Sequence, residues 1–211
     1  MRPRPTAGLS VVEIHMKTRG SAGITLPEIL VGVVIGLVLV WLALPRISGG
    51  PVSGTQTQTL NNAKQLHLAT QQMALDGETT KTPGLGWPGD TGGTFTNWQH
   101  QLVGGNYLKA EDFRKLMSGP GVIPRPGKTL DMKECALLVY AVSTNSPDAA
   151  VFLTSANFTN TPAGGRPLEK NAKPYGDKGF VVFRKAGDGA ILQPRQVGQT
   201  DVVGTFVPLC R

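Results

Sequence analysis

The 211-residue chain has little of what many function classes require. It has two cysteines, three histidines and 6% aromatic residues, and its histidines have no partner at a metal-ligand spacing. It has no GxSxG, HExxH or Walker motif and no paired acids in a helical frame. We therefore expect neither an enzyme nor a bound cofactor.

Acidic residues are also scarce, at 14 against 21 Lys and Arg, which gives a net charge of +7. Such an excess raises the question of a nucleic-acid partner. The basic residues are scattered, however, and four of them precede residue 24. Residues 84–89 read GLGWPG, but Pro88 and the lack of a preceding apolar strand predict coil rather than a dinucleotide loop. We expect no dedicated nucleic-acid or nucleotide site.

Residues 24–44 form an apolar run that contains one charged residue, Glu28. As a helix the run is about 31 Å long, which matches the hydrocarbon core of a bilayer. Four basic residues precede it against one acid, which predicts a cytoplasmic N-terminus and an exported remainder. A cleaved secretory signal is the alternative, but its small residues would follow the apolar core, and here Ser21-Ala22-Gly23 precede it.

The order of a basic leader, Gly23, Ile24-Thr25-Leu26-Pro27-Glu28 and an apolar helix resembles the prepilin signal of type IV pilins and type II secretion pseudopilins. The resemblance implies that a prepilin peptidase removes residues 1–23, cutting between Gly23 and Ile24, and N-methylates Ile24. It also implies a transmembrane helix over 24–47, with Pro45 as its kink. Met16 is an alternative start that leaves the same mature chain.

Glu28 is the residue on which assembly depends in this interpretation. A carboxylate inside hydrocarbon is costly unless it has a partner. The cationic amine of Ile24 on one subunit can pair with Glu28 of its neighbour, which removes that cost and fixes the stagger between subunits. The structural alternative is that Glu28 only snorkels to the membrane surface.

Glycine and proline become frequent directly after the apolar run. The Gly-Gly-Pro cluster at 48–54 predicts a break or hinge, since glycine and proline disfavour a helix interior. A stem helix is predicted from about Thr55 to Leu75, with Asp76-Gly77 ending it. Its apolar stripe consists of Leu60, Ala63, Leu66, Ala69, Met73 and Ala74. His67 lies one residue off this stripe, so we expect it at the surface or an interface.

The rest of the chain predicts two short helices and a sheet. The helices cover 95–108 and 110–117, and strands are predicted at 135–142, 150–154, 179–184 and 190–193. Gly187-Asp188-Gly189 joins the last two as a hairpin, and 202–207 is a candidate for a further strand. We expect Trp87 and Trp98 in the core, with a partner-contact surface as the alternative. The fold class is α+β, with a transmembrane and stem helix and an antiparallel β-sheet head over 55–211, pilin-like by the resemblance.

Cys135 and Cys210 lie in the segment predicted to be exported. A disulfide between them is plausible there and would close a loop of about 75 residues, a constraint of roughly 4 kcal/mol. Two buried free thiols are the alternative. The resemblance also leaves calcium open, because major pseudopilins have a calcium site in their C-terminal loops. Asp177, Asp188 and Asp201 lie in that region here, although Asp188 in Gly-Asp-Gly is more simply a turn residue.

The resemblance therefore implies a structural subunit of a type IV pilus-like filament or type II secretion pseudopilus. Its partners would be the prepilin peptidase, other pilin or pseudopilin subunits, the inner-membrane assembly platform and the membrane itself. The protein would span the inner membrane once, with a periplasmic head, before it enters a periplasmic or extracellular filament. The alternatives are a membrane-tethered periplasmic binding domain that does not polymerise and an anchored enzyme.

Overall fold

The computed structural model describes residues 32, 51–126, 129–158, 160–161, 164–165 and 168–210. The chain divides into two units, Met1–Ser48 and Gly49–Arg211. In the first unit only Gly32 is described, and it is helical. The predicted leader at 1–23 and the rest of the predicted span at 24–47 lie outside the described residues. Within the described ranges, no helix combines the length and the apolar character needed to cross a bilayer.

The stem helix, α1, runs from Pro51 to Thr80. Proline suits the first position of a helix, because its fixed φ matches and its missing N–H would be unpaired there anyway. The predicted apolar stripe is buried, with Ala63, Leu66 and Met73 fully inaccessible to solvent. The predicted helix is therefore confirmed, and it is longer at both ends than the sequence pattern indicated.

Both predicted boundaries of this helix were wrong. Pro51 to Gly54 belong to α1, so the break predicted over 48–54 does not extend to these four residues, and 48–50 lie outside the described ranges. Gly77 lies inside the helix rather than at its end. A Cβ at Gly77 would approach the Leu85 carbonyl oxygen to 2.2 Å, so this glycine allows a loop to cross the helix closely.

Two short helices follow, α2 (Phe95–Gly104) and α3 (Ala110–Leu116), as predicted. Thr94 caps α2 by accepting a hydrogen bond from the Asn97 N–H at 3.2 Å. The indole Nε1–H of Trp98 donates to Thr70 Oγ1 at 3.2 Å, which joins α2 to α1. Trp98 is fully buried and Trp87 is 7% exposed, so the prediction that both lie in the core is confirmed.

The head contains a four-stranded antiparallel sheet in the order β1-β2-β5-β6. These strands are β1 (Leu137–Val139), β2 (Val151–Ser155), β5 (Phe180–Arg184) and β6 (Gly189–Leu192). A separate two-stranded pair, β3 (Asn160–Thr161) and β4 (Gly164–Gly165), is inserted between β2 and β5. The predicted hairpin is confirmed, since β5 pairs with β6 and the Arg184 N–H donates to the Asp188 carbonyl at 2.9 Å.

The candidate strand at 202–207 was wrong. Thr200–Val203 forms a short helix, α4, and Gly204 follows with φ of 111°, a conformation that favours glycine. Thr205 then makes a parallel bridge with Ala150, the residue directly before β2. The Arg184 guanidinium holds this segment by donating to the carbonyl oxygens of Val202 and Val203.

One hydrophobic core joins these elements. α1 lies against β2, β5 and β6, and it also contacts α2 and α3. Phe152 on β2 meets Trp98 and Trp87 edge-on, with ring centroids 6.0 and 5.4 Å apart. The fold is therefore α+β with an antiparallel sheet, as predicted, and packing on this sheet leaves one side of α1 uncovered.

Candidate assembly surface

The uncovered side of α1 repeats every three or four residues along the helix. Its members are exposed from the first described turns to the last. They are Gly54, Thr57, Gln58, Asn61, Lys64, Gln65, Leu68, Gln71, Gln72, Leu75, Glu78 and Thr79. We call these residues the exposed face of α1.

The exposed face carries very little charge. Lys64 and Glu78 are its charged members, and the others are glycine, leucine or uncharged polar residues. A helix face that remains in water normally carries charged side chains. Amides, threonines and leucines in their place make a face that can be dehydrated at lower cost, as packing against another helix requires.

Two leucines lie on this face. Leu68 is 53% exposed and Leu75 is 56% exposed. They are seven residues apart, which places them on the same side of the helix about two turns, or roughly 10 Å, from each other. The sequence pattern missed them, because the stripe was defined by the residues that face the sheet. The sequence did contain a signal for them, because Leu68 and Leu75 are apolar residues spaced seven apart, which places them on one side of a helix.

A groove of about 570 Å³ runs along one side of the exposed face, between α1 and the segment from Leu108 to Pro120. Gln58, Asn62 and Gln65 line it from the helix. Gln58 donates from its amide to Asn62 Oδ1 at 3.1 Å, so these two side chains are partly ordered by each other. The helix side of this groove is thus polar and uncharged, and its opposite side carries the ion pair of Asp112 with Lys115.

None of the residues that the sequence assigned to processing and assembly is among those that the structure describes. Gly23, Ile24, Glu28 and Pro45 all lie outside the described residues. The structure therefore adds to the sequence argument through α1 alone, the helix that follows the predicted span along the chain.

The structure has no disulfide between the two candidate cysteines. Cys135 and Cys210 are both buried free thiols. The Cys210 N–H donates to the Val139 carbonyl at 3.0 Å, which places it beside β1, whereas Cys135 lies before that strand with its Sγ 3.4 Å from the Asp131 carbonyl oxygen. Burial raises the pKa of each thiol to about 12, so both are protonated at neutral pH.

His67 was expected at a surface or an interface, but it is 4% exposed. Its Nε2–H donates to the Lys185 carbonyl at 2.8 Å. Its ring lies 5.4 Å from that of Trp87 and 5.2 Å from that of Phe183. Desolvation by burial lowers its pKa, against opposing effects of the Lys185 hydrogen bond and the charge of Asp188. The sequence could not indicate this, because the turn after β5 covers His67 only in the folded head.

The three C-terminal acids do not come together in one cluster. Asp188 pairs with the Arg184 guanidinium in the β5–β6 turn. Across the part of the chain that the structure describes, no group of three or more His, Cys, Asp or Glu residues could hold a metal ion. Asp177 and Asp201 lie in that part and belong to no such group.

Comparison with known proteins found no matching family model, no matching curated protein and no matching solved structure. The N-terminal sequence motif and the exposed face of α1 are therefore the features of this chain that bear on its function.

Proposed function

We propose that this protein is a structural subunit of a type IV pilus-like filament or a type II secretion pseudopilus. A prepilin peptidase cleaves it after Gly23 and methylates Ile24. The apolar helix then holds it in the inner membrane, with the head in the periplasm. An assembly platform in that membrane extracts the subunit into a filament with other pilin or pseudopilin subunits.

The observation that carries the proposal is the low-charge exposed face of α1. This helix starts seven residues after the apolar run and covers one side of the sheet with its other face. Leu68 and Leu75 remain available for packing against helices of other copies. A heterologous contact of this kind, repeated without closing, produces a filament rather than a ring.

Glu28 sets the register in this proposal. Its carboxylate pairs with the methylated amine of Ile24 on a neighbouring subunit, so neither charge stays unpaired in an apolar environment. The Glu28→Ala variant should therefore still be cleaved and methylated but should fail to enter filaments. A tethered binding domain that does not polymerise would keep its function in the same variant.

The exposed face provides a separate test in cells that carry the assembly machinery. We expect Leu68→Glu/Leu75→Glu to reduce the filament fraction at least tenfold, because each carboxylate would be buried unpaired at a cost of about 1–3 kcal/mol or more. Both positions are exposed in the subunit, so folding and cleavage should be unaffected. The measurement is the amount of subunit in sheared filaments relative to processed subunit in the membrane.

Ile191→Glu is the matched control, since Ile191 is an apolar residue of β6 that is 37% exposed and lies off α1. It should leave the filament fraction near that of the unmodified chain. Normal assembly of the double-leucine variant would contradict a role for the exposed face, whatever the fate of Glu28→Ala.

A further inference from the structure

Cations are concentrated on one part of the head. Two adjacent grooves of about 390 and 420 Å³ share the side chain of Lys173. The first is also lined by Lys170 and Lys178, and the second by Arg125 and Lys133. We call these five residues the basic face.

This concentration does not follow from the overall charge. The described residues carry 13 Lys and Arg against 12 Asp and Glu, which is close to neutral. Glu134 is the acid among the residues that line the two grooves, and it pairs with Arg125 at 3.9 Å. None of the ion pairs within the described ranges involves the four lysines of the basic face. Their charges are therefore available to an external anion.

The basic face lies at the N-terminal end of α1. Thr55 lines the first groove together with the three lysines. The Tyr175 hydroxyl donates to the Thr55 carbonyl at 3.2 Å and also bonds Thr59 Oγ1. The Gln56 amide donates to the Lys178 carbonyl at 3.1 Å. These hydrogen bonds fasten the lysine-bearing loop to the first turns of the helix, close along the chain to the predicted span.

An apolar side chain projects beside these cations. Ile123 is 85% exposed and lines the second groove with Arg125 and Lys173. The neighbouring loop lies close to Lys173, because a Cβ on Gly121 would be 3.6 Å from that side chain. An exposed aliphatic residue among cations is the combination by which peripheral proteins contact anionic bilayers.

We propose that the basic face docks on anionic lipid headgroups of the bilayer that holds the apolar segment. The inference rests on the proposed function in that it requires the predicted membrane anchor. Ten residues lie between Leu44 and Thr55, and a connection of that length spans at most about 40 Å even when it is fully extended. Docking holds the head against the membrane while the subunit awaits extraction.

Both the position of the basic face and the chemistry of its side chains favour lipid as what it binds. Lipid phosphates supply the negative charge that the lysines lack within the head, and an acyl region supplies a place for Ile123. Nucleic acid offers phosphates but no such apolar layer. Nucleic acid therefore remains the alternative that the experiment must separate.

The test uses the full chain reconstituted in nanodiscs of phosphatidylcholine, with or without phosphatidylglycerol. Asn171→Cys places a fluorophore on the exposed loop between Lys170 and Lys173, and the two native thiols are buried and should not react. Headgroup spin-labelled lipid quenches the fluorophore when the loop is docked. We expect strong quenching with phosphatidylglycerol, and we expect it to weaken with added salt.

In the same labelled chain, Lys170→Gln/Lys173→Gln should lower the ratio of docked to undocked heads about thirtyfold, since each cation near an anionic surface contributes roughly fivefold. Lys81→Gln/Lys109→Gln removes the same charge at two positions that line neither groove, and it should change nothing. Ile123→Ser should weaken docking by about tenfold through lost apolar contact. Continued protection of both native thiols from alkylation shows that each variant is folded.

The nanodisc experiment distinguishes failure of the docking proposal from failure of the predicted membrane anchor. If the chain does not co-purify with nanodiscs, the anchor itself is wrong, and docking as proposed fails with it. If the chain is incorporated but quenching is the same in both lipid compositions, the anchor stands and the docking proposal is overturned. Binding of duplex DNA that depends on Lys170 and Lys173, without lipid-dependent quenching, would also overturn it and assign the basic face to nucleic acid.

Discussion

At the scale of single residues, the head depends on buried polar groups that join α1 to its neighbours. His67 joins α1 to the turn after β5 through the Lys185 carbonyl. Gly187, with φ of 88°, allows the turn after β5 to pass over the imidazole, because a Cβ there would lie 3.2 Å from the ring. The imidazole is thus held neutral in an aromatic environment, and charging it would oppose the packing of helix on sheet.

His67 should make the stability of the head depend on pH. Its folded-state pKa is lowered, so the unfolded chain binds a proton more readily. The stabilisation is therefore complete above the unfolded pKa of about 6.5 and decreases as the pH falls toward the folded pKa. We expect the free energy of unfolding, measured by denaturant titration, to fall across this window. His67→Gln should remove this component, whereas His100→Gln, at an exposed position, should retain it; equal pH dependence in the two variants would contradict the assignment.

The cysteines provide a second test at this scale. Burial and a pKa of about 12 should protect Cys135 and Cys210 from alkylation at neutral pH in the folded chain. Unfolding without a reducing agent should expose both thiols, and intact mass should then increase by two alkyl groups. An unfolded chain that takes up no label until a reductant is added would instead establish the disulfide.

At the scale of the elements, the sequence predicted those whose pattern is local. The periodic stripe predicted α1, and the β-rich runs with a Gly-Asp-Gly turn predicted β5 and β6. The sequence pattern missed α4 and placed the α1 boundaries wrongly, since these features depend on contacts between residues that are distant in the sequence. Gly77 looked like a helix end, but its role is to admit the Leu85 backbone. Leu68 and Leu75 were overlooked because the pattern that was sought faces the core.

The C-terminal end of α1 has a strained residue that can be tested. Lys81 has φ of 52°, and the Thr82 N–H donates to the Gly77 carbonyl at 3.2 Å, so Lys81 occupies the left-handed position that usually favours glycine. Lys81→Gly should stabilise the chain by about 0.5–1 kcal/mol, as relief of backbone strain exceeds the added entropy of the unfolded chain. Denaturant unfolding measures this. Lys81→Ala removes the same charge without the backbone freedom, and a glycine variant no more stable than the alanine variant would contradict the argument.

At the scale of the whole molecule, two parts of the chain contribute different evidence. The N-terminal unit carries the predicted processing motif, with Gly23, Ile24 and Glu28. The second unit carries a single core, an exposed helix face with little charge and a basic face at the start of that helix. Net charge alone does not locate the basic face, because its five cations come from segments between residues 125 and 178 that only folding brings together.

The filament proposal depends first on cleavage after Gly23, and this step can be measured directly. The measurement is intact mass and N-terminal peptide analysis of the membrane-extracted protein, with and without a co-expressed prepilin peptidase. We expect a chain that begins at N-methylated Ile24 only when the peptidase is present. A chain that keeps Gly23 in the presence of the peptidase, or one cut beyond Leu44, would contradict the filament proposal.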